Sequence, residues 1–291
     1  MGNRFGRALL GWVSEGDLQP LYEGALVRAP EDLPAFRALW VAAQSRAGVL
    51  PPVQLGGVSA ASDPPAALRN QVAAVQQSDM FRTHYEAFGG VLASVQLADL
   101  VTPQWWVGTE VAGESTRVLP AAGDEAALFA FCFSSGHIDR PVTAGNVAAV
   151  ASRQRLLAPP SSLRLESLSR TKAKFSFELA VRPNYLLVAH VVEADRLVLA
   201  NGVHRAVALL GARHDHAYCV LRHVSMGDLG SVINFSDPAF MKVARLLAPR
   251  PPLIRDFLDG DVSDEVAIAD VVQFMRVVVQ AEIGVLPTFN D

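Results

Sequence analysis

The chain has 291 residues, 51% hydrophobic and 19% charged, with a mean hydropathy of +0.24 and a formal net charge of -4. That apolar content excludes disorder of the whole chain, and an acidic balance without a long basic block speaks against a protein that coats nucleic acid through many phosphate contacts. No stretch reaches the roughly 18 consecutive apolar residues of a membrane span, the first residues do not read as a signal peptide, and a cytoplasmic protein with no membrane partner is expected.

Residues 1–53 read as a helical segment. In "EDLPAFRALWVAAQSRAG", residues 31–48, Leu33, Phe36, Leu39, Trp40 and Ala43 recur at three and four residues, one face of a helix that Gly48 and Pro51-Pro52 end. Residues 54–67, "QLGGVSAASDPPAA", have linker composition and predict a boundary. A second helix is expected over 67–88, closed by Gly89-Gly90. "VLASVQLADLV" (91–101) reads as a strand, and 102–125 as short extended pieces and turns. "AALFAFCFSSGHI" (126–138) fits a buried strand or a helix, and pattern alone leaves both open. "NVAAVASRQRLLAPP" (146–160) reads as a helix stopped by Pro159-Pro160. Alternation in "KFSFELAV" (174–181) predicts a strand. Residues 184–201 read as two strands joined at Glu193-Ala194-Asp195, and "AYCVLRHV" (217–224) as another. Residues 237–259 read as helical up to Pro249. The β-branched runs 265–272 and 273–285 predict strands. Cys132 and Cys219, each inside an apolar run, are expected as buried free thiols. The order is α+β, with 1–53 helical, 54–67 a linker, 68–240 the core and 241–291 a β-rich C-terminal extension.

The segment "VLANGVHRAVALLGAR", residues 198–213, carries the chemistry. Asn201-Gly202 between apolar runs is a hairpin signal. A second strand from Val203 would have no polar face, however, and Ala206, Ala208, Leu209 and Leu210 are strong helix formers. Strand, tight loop and short helix fit better, with Gly211 as the C-terminal stop. Gly202 would let the backbone approach a ligand closely. The helix start would offer unpaired amides and partial positive charge, which attract anions. His204 and Arg205 in the first turn oppose the helix dipole, and an anion would relieve that conflict, with Arg205 as a bidentate fork. On spacing alone the plainer arrangement, Arg205 in water and His204 packing or capping, fits at least as well.

The stretch "RLVLANGVHRAVALLGARHDHAYCVLR" resembles the signature of the ParB/sulfiredoxin-like superfamily, in which a strand ends in a Gly-x-His-Arg loop that opens a helix of small residues. Gly202, His204, Arg205, Ala208 and Gly211 match it, and "AYCVLR" matches the strand that follows. Upstream, "ASVQLADLVTPQWW" is similar to the family's entry strand and its turn, through Leu100 and Pro103. The resemblance implies a mixed-sheet ParB/sulfiredoxin-like core and a nucleotide-phosphate site. It assigns Asn201, Gly202, His204 and Arg205 to that site, with a nucleoside triphosphate and Mg as the implied cofactor. It covers residues 196–222 well, reaches loosely back to 93, and is silent on 1–80 and 240–291. Val203 stands where sulfiredoxins carry the catalytic Cys, and no helix-turn-helix DNA domain is evident. Some members phosphorylate small molecules with a carboxylate base, for which Asp99, Glu193 and Asp195 are the candidates.

Other constellations carry less. His214 and His216 would share a strand face, a spacing a metal can use, but Cys219 would lie opposite and four ligands do not emerge. Ser134, Ser135, His137, Asp139 and Arg140 form a polar loop without a readable triad. Of adjacent Trp105 and Trp106, one is expected in the core and one at an interface. The first functional expectation is therefore a protein that binds a nucleotide or another anionic small molecule, with phosphotransfer open. The alternative is a non-catalytic scaffold forming a homo-oligomer through its C-terminal extension, and the third a DNA-acting ParB-like factor.

Overall fold

The structure is a computed structural model of the chain. It describes residues 4–23, 33–108, 119–133, 185–233 and 240–268. It also gives the backbone of strands within 142–181 and 273–278. Two compact units divide it, residues 1–135 with 183–270 and residues 136–182 with 271–291.

The first unit opens with strand β1 (Arg4–Ala8), where a helical segment was expected. Helices α1 (Glu15–Glu23) and α2 (Leu33–Gly48) follow. The periodicity of α2 is realised as read, with Phe36 and Ala43 buried and Leu39 and Trp40 packed on the core. Residues 54–67 do not separate domains. They lie inside the first unit and supply a 3-10 turn and β2 (Ala61–Ser62), an edge strand. The helix expected over 67–88 is two, α3 (Arg69–Gln77) and α4 (Asp79–His84), because the Ser78 hydroxyl accepts from Phe81 N and caps a new start. Gly89 then ends the helical stretch in the left-handed region at φ 74°. Strands β3 (Val91–Gln96) and β4 (Trp106–Gly108) precede α5 (Glu125–Cys132), which resolves the open reading of 126–138 in favour of a helix N-capped by Asp124.

The second unit contributes β5 (Val142–Ala144), β6 (Val147–Ser152), β7 (Leu156–Leu157), β8 (Leu163–Ser169), β9 (Lys172–Phe177) and β10 (Ala180–Val181). The helix expected over 146–160 does not form among the described residues, where β6 and β7 lie instead. Extended conformation there is stabilised by a local hairpin of β5 with β6 and by pairing with distant segments that no local pattern reveals, β6 with 273–278 and β7 with β10.

Returning to the first unit, β11 (Leu187–Val191) and β12 (Arg196–Asn201) flank a 3-10 turn at Val192–Ala194. Helix α6 (Val203–Gly211), β13 (His216–Val224), the single turns α7 (Leu229–Val232) and α8 (Val243–Leu246), and β14 (Asp264–Ile268) follow. Strand β15 (Gln273–Val278) belongs to the second unit. Of the helix expected up to Pro249, only α8 forms among the described residues. Nor is the C-terminal part a separate extension. Strand β14 pairs with β1, and β15 with β6, so the segment expected to serve self-association already has intramolecular partners.

The core of the first unit is a five-stranded sheet in the order β12-β11-β13-β3-β2. Strands β11 and β13 run parallel and the other pairs antiparallel. All five residues of β11 are buried, as expected for a strand covered on both faces. The crossing segment 97–105 lies along β12, with Val101 N donating to Leu197 O at 3.0 Å and Leu199 N to Val101 O at 2.8 Å. A part-buried pair, Arg250–Asp256 at 2.6 and 2.9 Å, pins the proline-rich segment, and Asp256 also accepts from Leu253 N. Cys132 and Cys219 are buried and free, and no helix among the described residues is long and apolar enough to cross a membrane.

Candidate functional site

The 198–213 stretch folds as strand, one-residue bend and helix. Asn201 ends β12, and Gly202 is the N-cap of α6 at φ 95°, ψ 23°, a conformation that glycine adopts without steric cost. Gly202 is also required by packing: a Cβ there would lie 2.3 Å from Leu186 Cδ2. The close approach that glycine permits is thus used by the protein's own core. Ala206 N donates to Gly202 O at 2.9 Å, the first bond of α6, and among the described residues no side chain caps the amides before it. Gly211 is not the left-handed stop. The helix runs through it, and Arg213 takes the positive φ of 68°.

The expected site residues point in different directions. Asn201 Nδ2 donates to Tyr185 O at 2.8 Å and ties β12 to the entry of β11. Arg205 is 6% exposed and turns inward. Its Nη1 donates to Phe131 O at 2.9 Å and Cys132 O at 2.8 Å, the last carbonyls of α5, and its guanidinium lies 5.7 Å from the Phe131 ring centroid. A cation on orphan C-terminal carbonyls satisfies them and complements the dipole of α5. Arg205 is therefore committed within the fold rather than held out as a fork beside His204.

His204 goes elsewhere. Its ring meets Trp106 edge to face, with centroids 5.3 Å apart at 81°. Both His204 Nε2 and Trp106 Nε1 are shut off from solvent, with no hydrogen-bond partner among the described residues. Burial pushes the His204 imidazole down to about 4, so it is neutral at pH 7 and brings no positive charge to the helix start. Buried unpaired ring nitrogens are rare and costly. Here two lie side by side: the indole can only donate, and a neutral imidazole offers one donor and one acceptor. Trp105, its neighbour, is 1% exposed and lies in the core, whereas Trp106 is half-buried.

Three further groups settle the other sequence candidates. Asp99 pairs with Arg255 at 2.9 Å, Glu193 accepts from Met226 N, and Asp195 accepts from His190 Nε2 at 2.9 Å. His214 and His216 do not converge on a metal: His214 Nε2 meets Pro120 O, and His216 Nε2 meets Glu125 Oε2, both at 3.1 Å. Glu125 also accepts from the Tyr218 hydroxyl at 2.5 Å, which lowers its own pKa and, with burial, raises that of Tyr218. No group of three metal-ligating side chains exists among the described residues. The polar loop Ser134, Ser135, His137, Asp139 and Arg140 lies outside the described residues. A cleft of 390 Å³ in the first unit, lined among others by Trp12, Asp17, Trp105, Lys242 and Arg245, contains no residue of the 201–205 loop.

Sequence reasoning missed Trp106 as a partner of His204, and missed His190 and His223, whose rings meet across β11 and β13. The available signal was a histidine placed inside each of two apolar strands. Comparison with protein-family models, with curated proteins and with solved structures finds no match for the chain.

Proposed function

We propose that the chain binds a small anionic ligand of the nucleotide class at the start of α6, where His204 and Trp106 supply the side-chain contacts. The observation that carries this reading is the pair of buried, unpartnered ring nitrogens beside a first helical turn that no side chain caps. Uncapped amides attract phosphate oxygens, and a neutral imidazole and an indole add directional bonds without charge. The two stretches that carry the family resemblance are also neighbours in space. Strand β3 pairs with β13, Val101 bridges to Val198, and Trp106 packs on His204. In this reading Asn201 and Gly202 shape the bend, and Arg205 orients α6 by anchoring it to the end of α5. A nucleoside triphosphate would bring its own Mg, since no carboxylate is placed on the loop by the contacts described above. The reading extends to phosphotransfer only if a bound triphosphate is consumed.

A thermal-shift screen of ATP, CTP, GTP, their diphosphates and pyrophosphate, each with and without Mg²⁺, tests it. A ligand that prefers the folded state raises Tm, by about 2.7 kcal/mol of stability at a hundredfold excess over Kd. The expected result is a shift for the wild type that His204→Phe and Trp106→Phe abolish. Absence of any shift at millimolar concentrations, or shifts that both variants retain, overturns the proposal.

A further inference from the structure

At the opposite end of β12 from the α6 bend, three side chains form a hydrogen-bonded chain. His190 and His223 are register partners on the parallel strands β11 and β13. Their Nδ1 atoms are 2.7 Å apart, and the rings meet at 87°. His190 Nε2 lies 2.9 Å from Asp195 Oδ1. His190 is 6% exposed, whereas His223 faces solvent. The carboxylate end is held by backbone: Val58 N donates to Asp195 Oδ1 at 2.8 Å. Asp195 sits at φ 43° and Gly57 at φ 53°, and a Cβ on Gly57 would lie 2.3 Å from the Asp195 carboxylate. Two left-handed positions thus bring the Gly57-Val58 turn onto this one carboxylate. That carboxyl is held below its ordinary range, by the Val58 amide first and by His190 second.

The chain of bonds dictates the tautomers. An ionised carboxylate only accepts, so His190 donates from Nε2. A neutral His190 then carries its lone pair on Nδ1, and the 2.7 Å contact requires His223 to donate from its own Nδ1. The lone pair of His223 is left on Nε2, on an exposed side chain.

We propose that Asp195, His190 and His223 form a proton relay that presents His223 Nε2 as a nucleophile toward activated acyl esters. The lone pair of Nε2 attacks the acyl carbon and a C–N bond forms. The C–O bond to the alcohol or phenol breaks, and the leaving group departs with that electron pair. The acylated ring releases its Nδ1 proton to His190 Nδ1, and the imidazolium so formed lies against Asp195. Water then adds its hydroxyl to the acyl carbon and gives its other proton to solvent. The C–N bond breaks, and His190 returns the proton to His223 Nδ1. Val192 and Met226, both exposed large apolar side chains at the ends of the same two strands, favour a hydrophobic acyl group. Glu193 is occupied by Met226 N and leaves the relay to Asp195. The site is separate from the start of α6, so loss of nucleotide binding leaves it standing.

The test uses the full chain and two readouts. Long-range ¹H–¹⁵N spectra of the imidazoles at pH 8 should place the His223 proton on Nδ1. Release of 4-nitrophenol from 4-nitrophenyl acetate, with intact-mass detection of the acyl adduct, should be lost in His223→Gln. It should fall about a hundredfold or more in Asp195→Asn, the lower edge of what a positioned base contributes, and stay unchanged in the control His84→Gln. Asp195→Asn keeps an oxygen for Val58 N and removes only the charge, so it separates relay from scaffold. A His223 proton found on Nε2, or ester cleavage insensitive to His223→Gln or Asp195→Asn, overturns the proposal.

Discussion

Replacing Arg205 with methionine keeps most of the aliphatic stem and removes the guanidinium, so it isolates the polar part of the contact with α5. The bonds lost include those to Phe131 O at 2.9 Å and Cys132 O at 2.8 Å. A hydrogen bond to a charged group contributes about 1.5–3 kcal/mol, and a buried acceptor left unpaired costs about 1–3 kcal/mol. The two carbonyls differ, because Cys132 O keeps a second donor, Leu186 N at 3.2 Å, while Phe131 O has no such substitute among the described residues. The bonds also share one nitrogen and do not add independently. The expected loss is therefore about 2–4 kcal/mol for Arg205→Met and somewhat less for Arg205→Lys, which retains charge but not the fork. Urea unfolding read by tryptophan fluorescence measures it, since all four tryptophans, Trp12, Trp40, Trp105 and Trp106, lie in the first unit. A loss under about 0.5 kcal/mol, the range of an exposed surface substitution, would refute the reasoning and return Arg205 to solvent.

Gly202→Ala should cost about 2–4 kcal/mol, combining a left-handed alanine with overpacking against Leu186. Leu186→Ala in the same chain should relieve the second part, so the double variant loses less than the sum of the singles. Stability should fall with acid because His204 is held neutral. Between its unfolded value near 6.5 and its folded value of about 4, the unfolded chain binds a proton that the native chain refuses, so stability is full above 6.5 and declines as pH drops through that window. The displacement corresponds to up to about 3 kcal/mol, and His204→Phe should flatten the difference between urea midpoints at pH 7.5 and pH 5. Burial raises the Cys132 thiol to about 12 and the Cys219 thiol further. Native protein at pH 8 should therefore leave a chromogenic disulfide reagent unreacted, and denatured protein should titrate two thiols per chain.

Local pattern carried a good part of this protein. The helix of Phe36 and Ala43, the paired strands around Glu193-Ala194-Asp195, the buried cysteines, and the turn from β12 into α6 at Gly202 all follow from spacing, propensity and one glycine. Such features are decided within a few residues, by side-chain periodicity and by the backbone freedom of a missing Cβ. What a given side chain touches is decided by elements far away in sequence. Arg205 satisfies carbonyls about seventy residues upstream, His204 meets Trp106, and β1 becomes a strand because β14 and β4 lie beside it. His190 and His223 became a chain of hydrogen bonds only when β11 and β13 paired in parallel and in register, an arrangement with no signal in either strand alone. Sequence thus determined where the bend lies and that a histidine and an arginine follow it. The tertiary structure decided that the arginine faces inward, because the fold brings the last carbonyls of α5 within reach of its guanidinium and buried carbonyls must be bonded.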